Sequence, residues 1–417
     1  MKQNSSFTLK EIAGVPYLLP YGQMIADHKR GLKTNATGAY LWDLLQEEHS
    51  LEEILSNSAT YYEITAKNLP SFQKELTQFL SQLLALGILV DSNQKSPISA
   101  NTLHVIQASR NAASTAKSKT TVPVSSEVSP CTEHVLSIAG LNVKLVTPAD
   151  AVPPDFSAFL LSPSRAGSVT IHQTIFLHPT LPEQEISGKA LLQNLELNIV
   201  EQETQYLLHF PTAKTHLEIQ LNKDGMTAHC YCLPPFTKDF HYDFFHAIRL
   251  LYLYLAQRSG MAALHSASIL YQDKLWLFSG HSGMGKSTHT NLWKEHFNTP
   301  VINGDLNLLA IENGKPVVHG IPWCGTSGIY DTKTYPLGGI ILLNKAPENK
   351  LEELTPDQKQ LLVFQRLISP SWTRKLWEKN LKLVEELTEH ILVCRLHCTK
   401  ETDAAVLMKE RIDDFLL

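Results

Sequence analysis

Along the chain, apolar residues change their period several times, and each change predicts an element. "GVPYLLPYG" and "QMIADHKRGLKTN" alternate as short strands do, with Gly22 and Gly31 as turn residues. Helical spacing follows. Asn35 can cap "ATGAYLWDLLQEE", and Ser50 with Glu53 forms a capping box ahead of "LEEILSNSATYY". A third helix carries Phe72, Leu76, Phe79, Leu80 and Leu83 on one face and stops at Gly87, before apolar "ILV". Three helices with a small antiparallel sheet predict a winged-helix unit over residues 1–91.

Periodicity then fades. The stretch 92–131 is rich in Ser, Thr, Ala and Lys and is expected to be a flexible, exposed linker. From 132 to 417 strand-like runs return: "VLSIAGLNVKLV", "SVTIHQTIFL", "TQYLLHFP", "HLEIQLN" and "MTAHCYCL". "YDFFHAIRLLYLYLAQRSG" reads as a helix leading into strands around a glycine loop. Near the end, "SWTRKLWEKNLKLVEELTEH" reads as helix, "ILVCRLHC" as strand and "TDAAVLMKERIDDFL" as helix. The fold class expected is therefore α/β with a mixed sheet, behind a small winged-helix unit.

Composition narrows the function. Among 417 residues, 43% are hydrophobic and 18% charged, as in globular protein. A net charge of −5 implies no basic face for nucleic acid, and near its start the third helix offers only Lys67 and Lys74. No signal-peptide core and no membrane-length run is present, and the six cysteines lack metal-type spacing. The expectation is a cytoplasmic protein with free thiols, no nucleic-acid partner and no membrane partner.

The chemistry concentrates in "LWLFSGHSGMGKSTHTNLW". Gly280, Gly285, Lys286 and Ser287 match G-x-x-x-x-G-K-[ST] without a gap, between a strand ("KLWLF") and a helix ("KSTHTNLWKEHF"). That junction turns backbone N–H groups and the positive helix end towards a phosphate chain. His281, Ser282, Gly283, Met284 and Thr288 complete the candidate nucleotide contacts, and Gly283 supplies a position for positive φ. Lys286 would reach the β- and γ-phosphates, and the Ser287 hydroxyl would bind Mg²⁺ together with Asp305 in "TPVINGDLNLLAI". An Asn313–Gly314 turn then starts a partner strand, so the sheet is at least partly antiparallel. In "LLNKAPEN", Pro347 stands where a guanine-reading Asp would be, which leaves ATP as the default nucleotide. His289 faces either phosphate or solvent. Cys324 to Gly328 forms a glycine-bearing turn that either approaches the ligands or is a plain turn. Glu352 and Glu353 have no evident partner.

"GHSGMGKS", "ALHSASILYQDKLWLFSG", "HGIPWCGTSGI" and "YPLGGIILLNK" resemble the HPr kinase/phosphorylase family and, more distantly, ATP-dependent phosphoenolpyruvate carboxykinase. They are also similar to the small HPr-kinase-like enzymes of peptide-natural-product clusters. The resemblance implies a P-loop kinase domain from about Thr132 onward, with catalytic roles for Lys286, Asp305 and His265. It departs in two places. The family pairs two adjacent aspartates where this chain has Gly304-Asp305, and Thr288 replaces the Glu that follows the loop's Ser.

The first unit resembles the PqqD family through its order of elements and the N-x-x-G-x-x-[LIV]-W signature at Asn35 to Trp42. The resemblance implies that the leader of a ribosomally made precursor peptide adds a strand at about Arg30 to Asn35 and packs on the helix from Leu69 to Leu86. Together the two resemblances imply an ATP- and Mg²⁺-dependent kinase acting on a Ser or Thr hydroxyl of that precursor. A non-catalytic nucleotide-binding adaptor and a kinase of a small metabolite are the alternatives. The precursor, the hydroxyl, the general base and the choice between monomer and homo-oligomer stay open.

Overall fold

A computed structural model describes residues 1–27, 31–91, 98–119, 129–183 and 185–417. The strands Phe7–Ile12, Val15–Pro20 and Leu32–Lys33 form an antiparallel sheet. Ala13 and Gly14 take positive φ between the first two strands. The predicted strand over "QMIADHKRGLKTN" is instead a helical turn, Gln23–Ala26, followed by the two-residue strand; residues 28–30 lie outside the described residues. Gly22 at φ 56° and the two hydrogen bonds that the Gln23 side chain exchanges with the Gln193 backbone turn the chain out of strand geometry there.

The three predicted helices form as Ala36–Leu44, Leu51–Tyr61 and Leu69–Ala85. The Asn35 side chain accepts from the Gly38 amide (3.0 Å), while a Cβ at position 38 would collide with the Thr34 hydroxyl. Leu41 and Trp42 are buried one turn later. The signature thus encodes a cap, a close approach and two core residues.

The expected flexible linker is corrected by a helix at Ile98–Lys119. Thr102, Ile106 and Arg110, four residues apart, are buried along one narrow stripe. Ile106 packs with Val200 and Leu207, and Arg110 makes a bidentate pair with fully buried Glu218, at 2.7 and 2.5 Å. Tertiary contact therefore orders a segment whose Ser- and Ala-rich composition carries little periodicity. Residues 92–97 and 120–128 of the expected linker lie outside the described residues.

Two large sheets follow. Cys131–Ile138, Leu141–Pro148, Gln173–His178, Thr227–Tyr231, Glu218–Asn222, Gln205–His209, Asn198–Glu201 and Lys189–Gln193 form the first, in that order across the sheet. Its inner face packs on the helix Lys238–Arg258, in one core with Phe244, Leu251 and Tyr252. The second sheet holds the glycine loop. Lys274–Ser279 lies between Ala262–Tyr271 (antiparallel) and Thr334–Lys345 (parallel). Thr334–Lys345 also pairs with Lys315–His319 and with Leu392–Cys398, and Leu306–Glu312 bridges Lys315–His319 back to Ala262–Tyr271. Five of these strands thereby close a circuit that fixes the loop's flanks. The helices Lys286–Phe297 and Thr402–Leu416 cover one side of this sheet, and Pro356–Phe364 and Arg374–Thr388 pack elsewhere against its core.

The N-terminal sheet is docked on the second half. Ile12, Tyr17 and Leu19 pack with Trp377 and Leu381, Tyr17 Oη donates to Asp357 (2.6 Å), and Lys10 pairs with Glu378 (2.8 Å).

Candidate functional site

The strand Lys274–Ser279 is apolar and buried from Leu275 onward, so its end at Gly280 is rigidly placed. The chain then turns through Gly283 at φ 76° and Gly285 at φ 100°, and the helix Lys286–Phe297 begins with Gly285 as its N-cap. A Cβ at Gly283 would meet nothing within 4 Å, so glycine is there for its left-handed backbone and not for space. At Gly280 the reason is space, because a Cβ would sit 3.0 Å from Met284 Cβ. Met284 N donates to His281 O (3.1 Å), closing the turn. His281, Ser282, Ser287 and Thr288 are exposed around it. No side chain caps this helix, so its first N–H groups point into the space the loop encloses.

Lys286, His265 and Asp305, far apart in sequence, come together here. The Lys286 ammonium donates to His265 Nε2 (2.7 Å) and to the Gly280 carbonyl (3.2 Å). His265 lies on Ala262–Tyr271 opposite Leu306, which brings its Nδ1 to 3.3 Å from Asp305 Oδ1. That approach is close but too oblique for a hydrogen bond, so Nδ1 is left without a protein partner. Burial and the adjacent Lys286 charge lower the His265 pKa, outweighing the pull of Asp305. A neutral ring with Nδ1 protonated and Nε2 accepting from Lys286 satisfies both contacts. Burial likewise lowers the Lys286 pKa.

Asp305 is positioned from behind. Its amide and that of Leu306 donate to Asn303 Oδ1, at 2.9 and 3.1 Å. The Cys324–Gly328 turn lies directly against it: a Cβ at Gly325 would come within 2.9 Å of Asp305 Cβ. The same turn explains Gly304. A Cβ there would overlap the Ser327 side chain, whose hydroxyl already donates to Cys324 O (2.7 Å) and accepts from Ile329 N.

Two arginines that the sequence analysis did not single out face this cluster. Arg249, within the apolar run "FFHAIRLLYLYLAQ", is largely desolvated, which lowers its pKa against the opposing pull of Asp305. A cation inside that apolar run was the available signal. Arg366 acts electrostatically on His265, Lys286 and His281, and its backbone carbonyl accepts from His265 N (3.0 Å). Its Nε is buried without a partner, and no carboxylate pairs with it among the described residues. Nothing local in "FQRLISPSW" marks it. His289, by contrast, is buried and stacked on Phe278 and is not exposed to solvent, though it lines the pocket beside the loop.

On the far side of the loop a pocket of about 340 Å³ is lined by Gly283, Gly285, Thr288, Lys345 and Lys400. It lies at the carboxyl ends of the parallel strands, the usual ligand side of an open α/β sheet. Among the described residues no helix is long and apolar enough to cross a membrane.

No curated protein sequence matches this chain. A solved structure, the HPr(Ser) kinase/phosphatase from Coxiella burnetii, is similar at 11% identity over 36% of this chain and 94% of its own, with a TM-score of 0.22. Residues 23–89 match the family model described as Coenzyme PQQ synthesis protein D (PqqD), so a PqqD-like domain stands at the front of a large mixed α/β unit.

Proposed function

We propose that this protein is an ATP-dependent kinase that phosphorylates a Ser or Thr hydroxyl of a leader-bearing precursor peptide. The reading rests on one observation above others: Lys286, His265 and Asp305 form a connected set at the mouth of a left-handed glycine loop between a buried strand and an uncapped helix. The residues present suit a nucleoside triphosphate with its cation. The loop offers open space and unclaimed N–H groups to an anion, Arg366 keeps an unpartnered buried Nε nearby, and Ser287 and Asp305 supply the oxygens a hard cation prefers. Ser287 and Asp305 would hold Mg²⁺, which would supply charge neutralisation at the phosphates.

The remaining work falls to the chain. Lys286 and the helix N–H groups hold the phosphates, and Arg366 and Arg249 add positive charge where charge accumulates on the moving phosphoryl group. The acceptor oxygen forms its bond to the γ-phosphorus as the bond to the bridging oxygen breaks, and ADP leaves. The Asp305 carboxylate is placed to take the hydroxyl proton, and neutral His265 becomes a second acceptor at Nε2 once Lys286 turns from it to the phosphates. A loose transition state asks more of position and charge than of a strong base, so a single carboxylate suffices where the related kinases carry two. The PqqD-like domain captures the leader and so raises the local concentration of the acceptor.

The protein incubated with Mg-ATP and the precursor encoded beside it is expected to add phosphate to the peptide, read by mass, and Lys286→Ala is expected to abolish the shift. Equal shifts in both would refute the kinase. The glycine at 304 favours one second reading, an adaptor that binds nucleotide and presents the precursor. That reading predicts calorimetric ATP binding with no transfer.

A further inference from the structure

A cleft of about 610 Å³ runs between the PqqD-like domain and the α/β unit. One wall is Leu19, Pro20, Ile25 and Gly31 of the N-terminal domain, and the other includes Phe364 and Gln365. Its floor connects the two functional regions. Arg366 and His281 both line it, so the cleft opens onto the glycine loop beside the guanidinium whose Nε has no partner. At the other end Gly31 immediately precedes Leu32–Lys33, which is the edge strand of its sheet and pairs only with Val15–Pro20 among the described residues. A Cβ at Gly31 would collide with the Leu19 side chain, so glycine lets the chain lie close against Leu19 within the N-terminal wall at this entrance.

We propose that this cleft is the acceptor channel: an extended segment of the precursor, continuing from a strand paired to Leu32–Lys33, lies in it and delivers a hydroxyl to the phosphate loop. The inference rests on the kinase reading for what happens at the inner end, but the placement of the peptide stands on geometry. The volume lies within the ordinary range for ligand sites and has room for a few residues. Leu19, Ile25 and Phe364 offer apolar contacts, and Ile25 is 38% exposed although it lies beside a domain boundary. Main-chain pairing at one end and a cation at the other fit an extended chain better than a compact metabolite. The domain docking through Tyr17, Trp377 and Asp357 holds both walls together, so the channel needs no movement to exist.

The test is photo-crosslinking of the full chain with benzoylphenylalanine in place of Gln365, an exposed wall residue, using the precursor and, separately, its leader alone. Adducts mapping to the segment that follows the leader are expected, with none from the leader alone. Adducts confined to the leader, or none while anisotropy shows the precursor bound, would overturn the channel whether or not phosphate is transferred. Gln365→Trp supplies the kinetic arm. With an active wild type, it is expected to raise KM for the precursor by about tenfold or more, while calorimetric ATP affinity reports on the phosphate site. An unchanged KM in a folded variant would place the acceptor elsewhere. An inactive wild type with core-segment adducts would instead refute the kinase and leave the channel standing.

Discussion

Gly304 shows how one neighbouring side chain can fix the identity of a residue. Its φ is not positive, so the backbone there would accept an L residue, and the constraint comes from the Ser327 side chain packed where a Cβ would go. Gly304→Asp is therefore expected to overpack the turn and cost about 1–3 kcal/mol, read as a lowered Tm. Gly304→Asp with Ser327→Gly should recover most of that loss. If the single variant is as stable as wild type, Ser327 yields easily and the steric account fails. The loop residues were legible because their pattern is local: Gly280, Gly283, Gly285, Lys286 and Ser287 fall within one short turn between a strand and a helix. Arg249 and Arg366 were not, because each reaches the site from a different element, and no local pattern states which way a side chain faces.

Helices and strands with strong apolar periods formed where expected. Arg374–Thr388, Leu392–Cys398 and Thr402–Leu416 lie within or on the stretches that predicted them. Ser50 and Glu53 make both halves of their capping box. The weakly patterned elements were missed. Lys189–Gln193 is an edge strand with no buried residue, and among the residues of Ile98–Lys119 whose burial is described only three are buried. Glu352, without evident partner in sequence, pairs across strands with Arg395 (2.8 Å) and His397 (2.8 Å), since antiparallel register sets it opposite Arg395. For the helix Ile98–Lys119, the Arg110–Glu218 pair is the anchor. Arg110→Ala leaves a fully buried carboxylate unpaired and is expected to cost roughly 3–5 kcal/mol. Amide exchange should rise along Ile98–Lys119 well beyond any change in the helix Lys238–Arg258. Unchanged protection would show that Ile106 and its neighbours hold the helix without the ion pair.

The arrangement of the two domains is the least local property of the molecule. Trp377 is fully buried between Ile12, Tyr17, Leu19 and Leu381, so Trp377→Ala should cost about 3–5 kcal/mol and loosen the docked sheet. Amide exchange in Phe7–Ile12 and Val15–Pro20 is expected to accelerate more than exchange in Leu69–Ala85, and a uniform change across all three would count against docking at this residue. Burial and the Asp357 contact push the Tyr17 pKa up to about 12, so the hydroxyl stays protonated and able to donate at neutral pH. The amino-acid order was enough for element types, the cap and box residues, and the glycine loop between strand and helix, because those depend on neighbours within a turn or a strand. The meeting of His265 with Lys286, 21 residues on, depends on sheet register, and the pairing of Arg110 with Glu218 and the cleft beside Arg366 depend on the packing of segments more than a hundred residues apart. Local periodicity carries no record of such long-range contacts.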